Sequence, residues 1–151
     1  MKRLLSGIVF LLLTFAVASF GALFLPGPWY AALAKPTWTP PGWIFGPVWT
    51  VLYVMIAMAA WVVWQQRARV DTGLVLWGAQ LILNGAWSWL FFGLERPGAA
   101  LLDIVVLLAA IAATAIAFAR ISRIAALLLA PYFAWVAFAT ALNFAIWRLN
   151  V

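Results

Sequence analysis

Five long runs of apolar residues dominate this chain, and they leave it few ways to fold. The runs are Leu4–Leu25, Ile44–Trp64, Leu74–Leu94, Ala99–Ala119 and Ile124–Ile146, each of 21 to 23 residues. At about 1.5 Å rise per residue, a helix of that length reaches about 31–35 Å, enough to cross a hydrocarbon core of about 30 Å. The runs are apolar on nearly every face, whereas a surface helix carries one apolar stripe. Lipid offers no partner for a backbone N–H or C=O, so each run must be a helix. With 69% apolar and 8% charged residues over 151 positions, the chain holds more apolar surface than a water-soluble core of its size can hide. The expected fold is an all-α membrane protein. It forms a single five-helix transmembrane domain over residues 1–151, with helices at about 4–25, 44–64, 74–94, 99–119 and 124–146.

Composition also removes whole classes of chemistry. The chain contains no Cys and no His. That excludes disulfides, structural zinc and the common His- or Cys-ligated haem sites, so no metal centre is expected. It likewise excludes Cys/His and Ser/His/Asp catalysis. The net charge of +6 comes from basic residues standing singly or in pairs at the ends of apolar runs. That is how membrane proteins encode topology, so no nucleic-acid partner is expected. The first 22 residues have a basic start and the signal-like Ala16-Val17-Ala18. The apolar stretch nevertheless continues to Leu25, beyond the roughly 7–15 residues of a signal core, so a retained first helix is expected.

The joints after the second, third and fourth runs are short, which makes neighbouring helices antiparallel. Lys2, Arg3, Arg67, Arg69, Arg120 and Arg123 then fall on one side, and Lys35, Arg96 and Arg148 on the other. The positive-inside rule puts the N-terminus in the cytoplasm.

One connection is long. Residues 26–43, PGPWYAALAKPTWTPPGW, hold five of the eight prolines together with Trp29, Trp38 and Trp43. Trp29–Lys35 has the makings of two helical turns ended by Pro36, and Pro40-Pro41-Gly42 forms a stiff turn. A flexible linker would be built from Gly and Ser. The segment reads as a rigid lid over one mouth of the bundle, although an interfacial aromatic belt would use the same residue types.

Three runs carry polar and aromatic stripes at helical spacing. The second has Trp49, Tyr53, Ile56 and Ala60; the third has Gln80, Asn84, Trp87 and Phe91; the fifth has Trp135, Phe138 and Leu142, with Asn143 on the flank. Amides are costly against lipid, so Gln80, Asn84 and Asn143 are expected to face the bundle, either as a pocket lining or as interhelical glue. Aromatic walls with a few polar groups describe a small-molecule site. Asp103, the one acid inside a span, either pairs with Arg96 or serves function. Pro131 removes a hydrogen bond to Leu127 and should kink its helix. The alanine ladders Ala109/Ala113/Ala117 and Ala137/Ala141/Ala145 permit close helix approach, within one chain or across a dimer.

The segments WYAALAKPTWTPPGWIFGPVWTVLY, AQLILNGAWSWLFFGLERPG and PYFAWVAFATALNFAIWRLN resemble, in order and over essentially the whole chain, the TspO/translocator protein family of tryptophan-rich sensory proteins, also called peripheral benzodiazepine receptors. The resemblance implies a five-helix bundle, commonly a homodimer, that binds protoporphyrin-type tetrapyrroles and drug-like flat hydrophobic ligands. It places Tyr30, Trp49, Tyr53, Asn84, Trp135, Ala139 and Leu142 at ligand-lining positions. Trp49 and Trp135 match tryptophans implicated, in some bacterial members, in light-dependent porphyrin breakdown. The family's proposed cholesterol motif is incomplete here, because Phe144 stands where it requires Tyr. The pattern resembles bacterial members, which implies a bacterial inner membrane.

Together these readings give a candidate ligand site of Tyr30, Trp38, Trp49, Tyr53, Asn84, Trp87, Phe91, Trp135, Phe138, Ala139, Leu142 and Asn143. Lys35, or a helix end, is the expected partner for a propionate at its wet rim. With no axial ligand available, a metal-free porphyrin suits the site better than haem. A receptor or sensor for porphyrin is the leading reading. Photo-oxidative degradation by way of Trp49 and Trp135 is a second, and transport or regulation of tetrapyrroles or lipids without chemistry is the alternative.

Overall fold

Local signals in the sequence account for most of the helix ends in the computed structural model, which describes residues 2–151. The side chain of Lys2, one of the six cations assigned to the N-terminal side, lies outside the described residues. Helix α1 covers Lys2–Gly21. Beyond Gly21 the chain tightens into single turns, Leu23 N–H to Phe20 O and Phe24 N–H to Gly21 O at 3.1 Å each, and Pro26 and Pro28 prevent further winding. The first helix therefore stops four residues short of the expected Leu25. A short helix α2, Pro28–Ala32, starts on proline and ends where Leu33 turns extended ahead of Pro36.

The turn Gly42–Ile44 leads into α3, Phe45–Arg67, which closes on Ala68 in the left-handed conformation (φ 49°). Helix α4, Thr72–Ser88, is capped by the Asp71 carboxylate accepting from Leu74 N–H at 3.1 Å. It runs on as one π-helical stretch, Trp89–Gly93, which releases the chain through a left-handed Glu95 (φ 56°). Helix α5, Pro97–Ala119, begins on proline. Helix α6, Arg123–Leu149, is capped by the Ser122 hydroxyl and continues across Pro131.

Each long helix is apolar and long enough to span a bilayer, the five segments being Arg3–Gly21, Gly42–Arg67, Thr72–Gly93, Pro97–Ala119 and Arg123–Leu149. They pack as a closed ring: α1 against α3, α3 against α6, α6 against α5, α5 against α4, and α4 back against α1. A ring of five helices leaves space at its centre. Away from the lid that space is filled by buried side chains including Trp77, Leu81, Phe118 and Leu129. Trp77 is anchored there by its indole N–H, which donates to Ile56 O at 3.1 Å.

At the other end the residues 26–43 cross the mouth. Trp29 and Tyr30 rest edge-on against Phe91, with ring centroids 5.9 and 6.1 Å away, and Tyr30 meets Phe92 at 5.4 Å. Below this cap the ring is not filled.

Candidate functional site

Helical periodicity places the site. On α3, Trp49 and Tyr53 are one turn apart on the inward face, and Ile56 and Ala60 continue that face into the core with no exposure. Trp49 stacks on Tyr53 with centroids 5.3 Å apart and planes 28° apart. On α4, Gln80 and Asn84 are buried one turn apart. Trp87 follows and stacks on Phe91, 5.1 Å away with planes 26° apart. The π-helical stretch inserts an extra residue per turn here, so Phe91 and Phe92 both reach the interior where a regular helix would turn one of them outward. On α6, Trp135, Ala139, Leu142 and Asn143 form the third wall.

These elements enclose a cavity of about 580 Å³, within the range of about 300–1,000 Å³ typical of small-molecule sites. Ten of the twelve candidate residues line it: Tyr30, Trp49, Tyr53, Asn84, Trp87, Phe91, Trp135, Ala139, Leu142 and Asn143. Trp38 and Phe138 do not. They pair with each other instead, centroids 5.8 Å apart, and pin the loop to the flank of α6. Phe138 follows Trp135 by three residues, but the wall continues through Ala139, so the fourth-residue neighbour faces inward and the third turns aside.

The polar groups are bound to one another. Tyr53 Oη–H donates to Asn84 Oδ1 at 2.7 Å, Asn84 Nδ2–H donates to Tyr132 Oη at 3.0 Å, and Tyr132 Oη–H donates to Gln80 Oε1 at 2.7 Å. This chain ties α3, α4 and α6 together under the cavity floor. Tyr132 is fully buried and was not among the sequence candidates. Its signal was available, since 132, 135, 136, 139, 142, 143 and 146 form one helical stripe. Asn143 acts as a brace: it accepts from Trp87 Nε1–H at 3.0 Å and donates to Pro97 O at 2.9 Å.

Two buried donors, Gln80 Nε2 and Trp135 Nε1, have no hydrogen-bond partner among the described residues, and the Asp103 Oδ2 atom is likewise buried and unpartnered. An ion pair with Arg96, one of the two readings of Asp103, therefore does not occupy that oxygen, and Asp103 lies outside the cavity lining.

At the rim, Lys35 lines the cavity and its ammonium sits 4.6 Å over the Tyr30 ring. Its Nζ donates to Leu33 O at 3.0 Å and Ala31 O at 3.3 Å. Burial raises the Tyr30 phenol above its ordinary value of 10, so it stays neutral at physiological pH. Contributions that sequence reasoning missed come from α1 and the loop after it, notably Ala18, Gly21, Ala22 and Phe24. Small and generic apolar residues carry no stripe signal.

The geometry defines a multi-pass helical membrane protein with a capped, aromatic, ligand-sized cavity between its helices. Residues 10–148 match the TspO/MBR family. The chain is 45% identical over 156 aligned positions to the "Tryptophan-rich protein TspO" of Chlorobaculum tepidum, covering 99% of this chain and 98% of that protein. It is 44% identical to the human "Translocator protein" over 81% of this chain and 75% of that one. It is 41% identical to a "Tryptophan-rich sensory protein" of Cereibacter sphaeroides over 89% and 85%. This chain belongs to the TspO/MBR family.

Proposed function

We propose that this protein is a membrane receptor or sensor that binds protoporphyrin-type tetrapyrroles and other flat hydrophobic molecules in its capped cavity. One observation carries the reading: two stacked aromatic pairs, Trp49 with Tyr53 and Trp87 with Phe91, line the same cavity beneath a lid. Indole and phenyl faces favour a planar π-system, with about 0.5–1.5 kcal/mol per pair beyond area burial. Lys35 at the rim offers a cation to a carboxylate tail. The names of the relatives, translocator and sensory protein, fit a receptor or sensor role.

The distribution of Lys and Arg supports an N-terminus in the cytoplasm and a lid on the opposite side, and the likeness to the Chlorobaculum tepidum protein supports a bacterial inner membrane. A shallow groove between α1 and α4, lined by the small residues Ala16, Gly85 and Ala86 that permit close helix approach, supports assembly as a homodimer within the bilayer.

Tryptophan fluorescence quenching by protoporphyrin in detergent tests the reading. Saturable quenching is expected, with Trp49→Phe and Trp135→Phe each weakening it several-fold. Unchanged affinity in both variants would place the ligand elsewhere.

A photo-oxidative role is a second reading, favoured by the position of both Trp49 and Trp135 on the cavity wall, where oxidants from an illuminated porphyrin would meet indole first. Illumination in air should then bleach bound protoporphyrin faster than free protoporphyrin in the same detergent. Equal rates would remove this role and leave binding alone.

A further inference from the structure

We propose that Asn150 is a latch that holds the lid shut and sets how fast a ligand enters and leaves the cavity. Helix α6 ends at Leu149, and the next side chain turns back across the mouth. Asn150 Oδ1 accepts from Ala34 N–H at 3.0 Å, and Asn150 Nδ2–H donates to Ala34 O at 2.9 Å. The same Nδ2 donates to Ile146 O at 2.7 Å, one of the carbonyls a helix end leaves without an intrahelical donor. One amide thus pairs both backbone groups of a single loop residue while remaining tied to its own helix.

Among the described residues, the loop has no other polar attachment of this kind. Within residues 26–43, the remaining hydrogen bonds are local in the chain: Lys35 Nζ to Ala31 O and Leu33 O, Thr39 Oγ1 to Pro36 O, the turn bonds at Ala31, Leu33 and Thr39, and Pro41 O and Gly42 O accepting from Ile44 N–H and Phe45 N–H where α3 begins. Its other holds on the bundle are aromatic edge contacts at Trp29, Tyr30 and Trp38 and the apolar packing of Leu33. Such contacts are weakly directional and allow sliding, whereas a two-bond amide clip has one geometry.

The clip also sits where it matters. Lys35, next to Ala34, lines the cavity, as does Tyr30 under the Lys35 ammonium. On the helix side, Ile146 is both the latch's anchor and a cavity wall. The Ala34 bonds are solvent-exposed, so water competes for them. Exposure makes the clip releasable without unfolding any helix. The lid therefore opens by loss of the Asn150–Ala34 pair followed by sliding of the aromatic contacts.

This inference rests on the reading that the cavity receives a ligand, and its test includes a readout that needs none. The chain has no cysteine, so Ala139→Cys puts a single thiol on the cavity wall. In that background, maleimide labelling in detergent micelles reports lid opening directly. Asn150→Ala should label about tenfold faster, the weight of two modest net hydrogen bonds. Asn150→Asp keeps an acceptor for Ala34 N–H and loses the donor to Ala34 O, so it should fall between wild type and Asn150→Ala. In chains that retain Ala139, stopped-flow quenching by protoporphyrin should show association and dissociation rising together, with a much smaller change in Kd. A reversible cross-link between Ala34→Cys and Asn150→Cys should stop exchange until it is reduced. This pair also tests the latch should Asn150→Ala fail to fold. Wild-type labelling rates in both Asn150 variants, or exchange that proceeds through the cross-linked lid, would overturn the latch. Faster labelling without saturable protoporphyrin quenching in any chain would uphold the latch and reject protoporphyrin as the ligand.

Discussion

Replacing Asn84 with Leu should expose how tightly the cavity floor is coupled. Asn84 is 5% exposed and joins two tyrosines, accepting from Tyr53 at 2.7 Å and donating to Tyr132 at 3.0 Å. Leu is of similar size, so the change removes polarity with little change in packing. Tyr132 keeps its bond to Gln80 Oε1, but the Tyr53 hydroxyl loses its acceptor. A stranded buried donor costs about 1–3 kcal/mol in soluble proteins, and interhelical hydrogen bonds in membranes average about 0.6 with a maximum of about 1.7 kcal/mol. Two lost bonds and one stranded hydroxyl give an expected destabilisation of about 2 kcal/mol. Tyr53→Phe alone strands Asn84 Oδ1 and should cost about 1 kcal/mol. The double variant leaves neither partner stranded, so it should cost about 2 kcal/mol, where simple addition gives about 3. Reversible SDS unfolding of the detergent-solubilised protein, followed by circular dichroism, measures all four corners of the cycle. Additive losses, with a coupling below a few tenths of a kcal/mol, would refute the Tyr53–Asn84 bond as an element of stability.

Other perturbations follow from single contacts. Gly93→Ala would set a Cβ 2.8 Å from Phe24 Cδ1 and 3.0 Å from Trp89 Cδ1, pushing a cavity wall aside. Overpacking of this kind costs about 1–3 kcal/mol, so a lower Tm and weaker protoporphyrin quenching are expected together. Asp71→Ala removes the cap on Leu74 N–H and should lower stability by about 1 kcal/mol, with Asp71→Asn retaining most of it; the same SDS titration reads both. Arg67→Cys, at the end of α3, and Trp43→Cys, in the turn before α3 begins, are both at exposed positions and should label from opposite sides of intact spheroplasts with an impermeant maleimide. Labelling of Arg67→Cys from outside would reverse the inferred orientation.

The spans, the lid and the inward stripes are legible without coordinates because each depends on residues close in the chain. An apolar run of sufficient length must be a helix in lipid, and a helix brings every third or fourth residue to one face. Hence Ile56, Ala60, Gln80 and Asn84 are all buried, as their spacing requires. Helix ends were less legible. The early stop of α1 at Gly21 follows from the turns and prolines beyond it, which an apolar run read through to Leu25 does not weigh, and the π-helical stretch at Trp89–Gly93 has no hydropathy signal.

Sequence alone therefore determined that five apolar helices cross a membrane, that a stiff proline and tryptophan loop joins the first two, and which faces carry amides and aromatics. Tertiary structure decided which of those groups meet. It made Asn143 a brace for Trp87, joined Tyr132 to Gln80 and Asn84, sent Trp38 and Phe138 to each other outside the cavity, and brought Asn150 to Ala34 across 116 positions of chain. The physical reason is range. Helical periodicity is set by bonds four residues long, whereas the partner of a side chain on another helix depends on how the rods rotate and slide against one another, which is settled only when the whole ring closes.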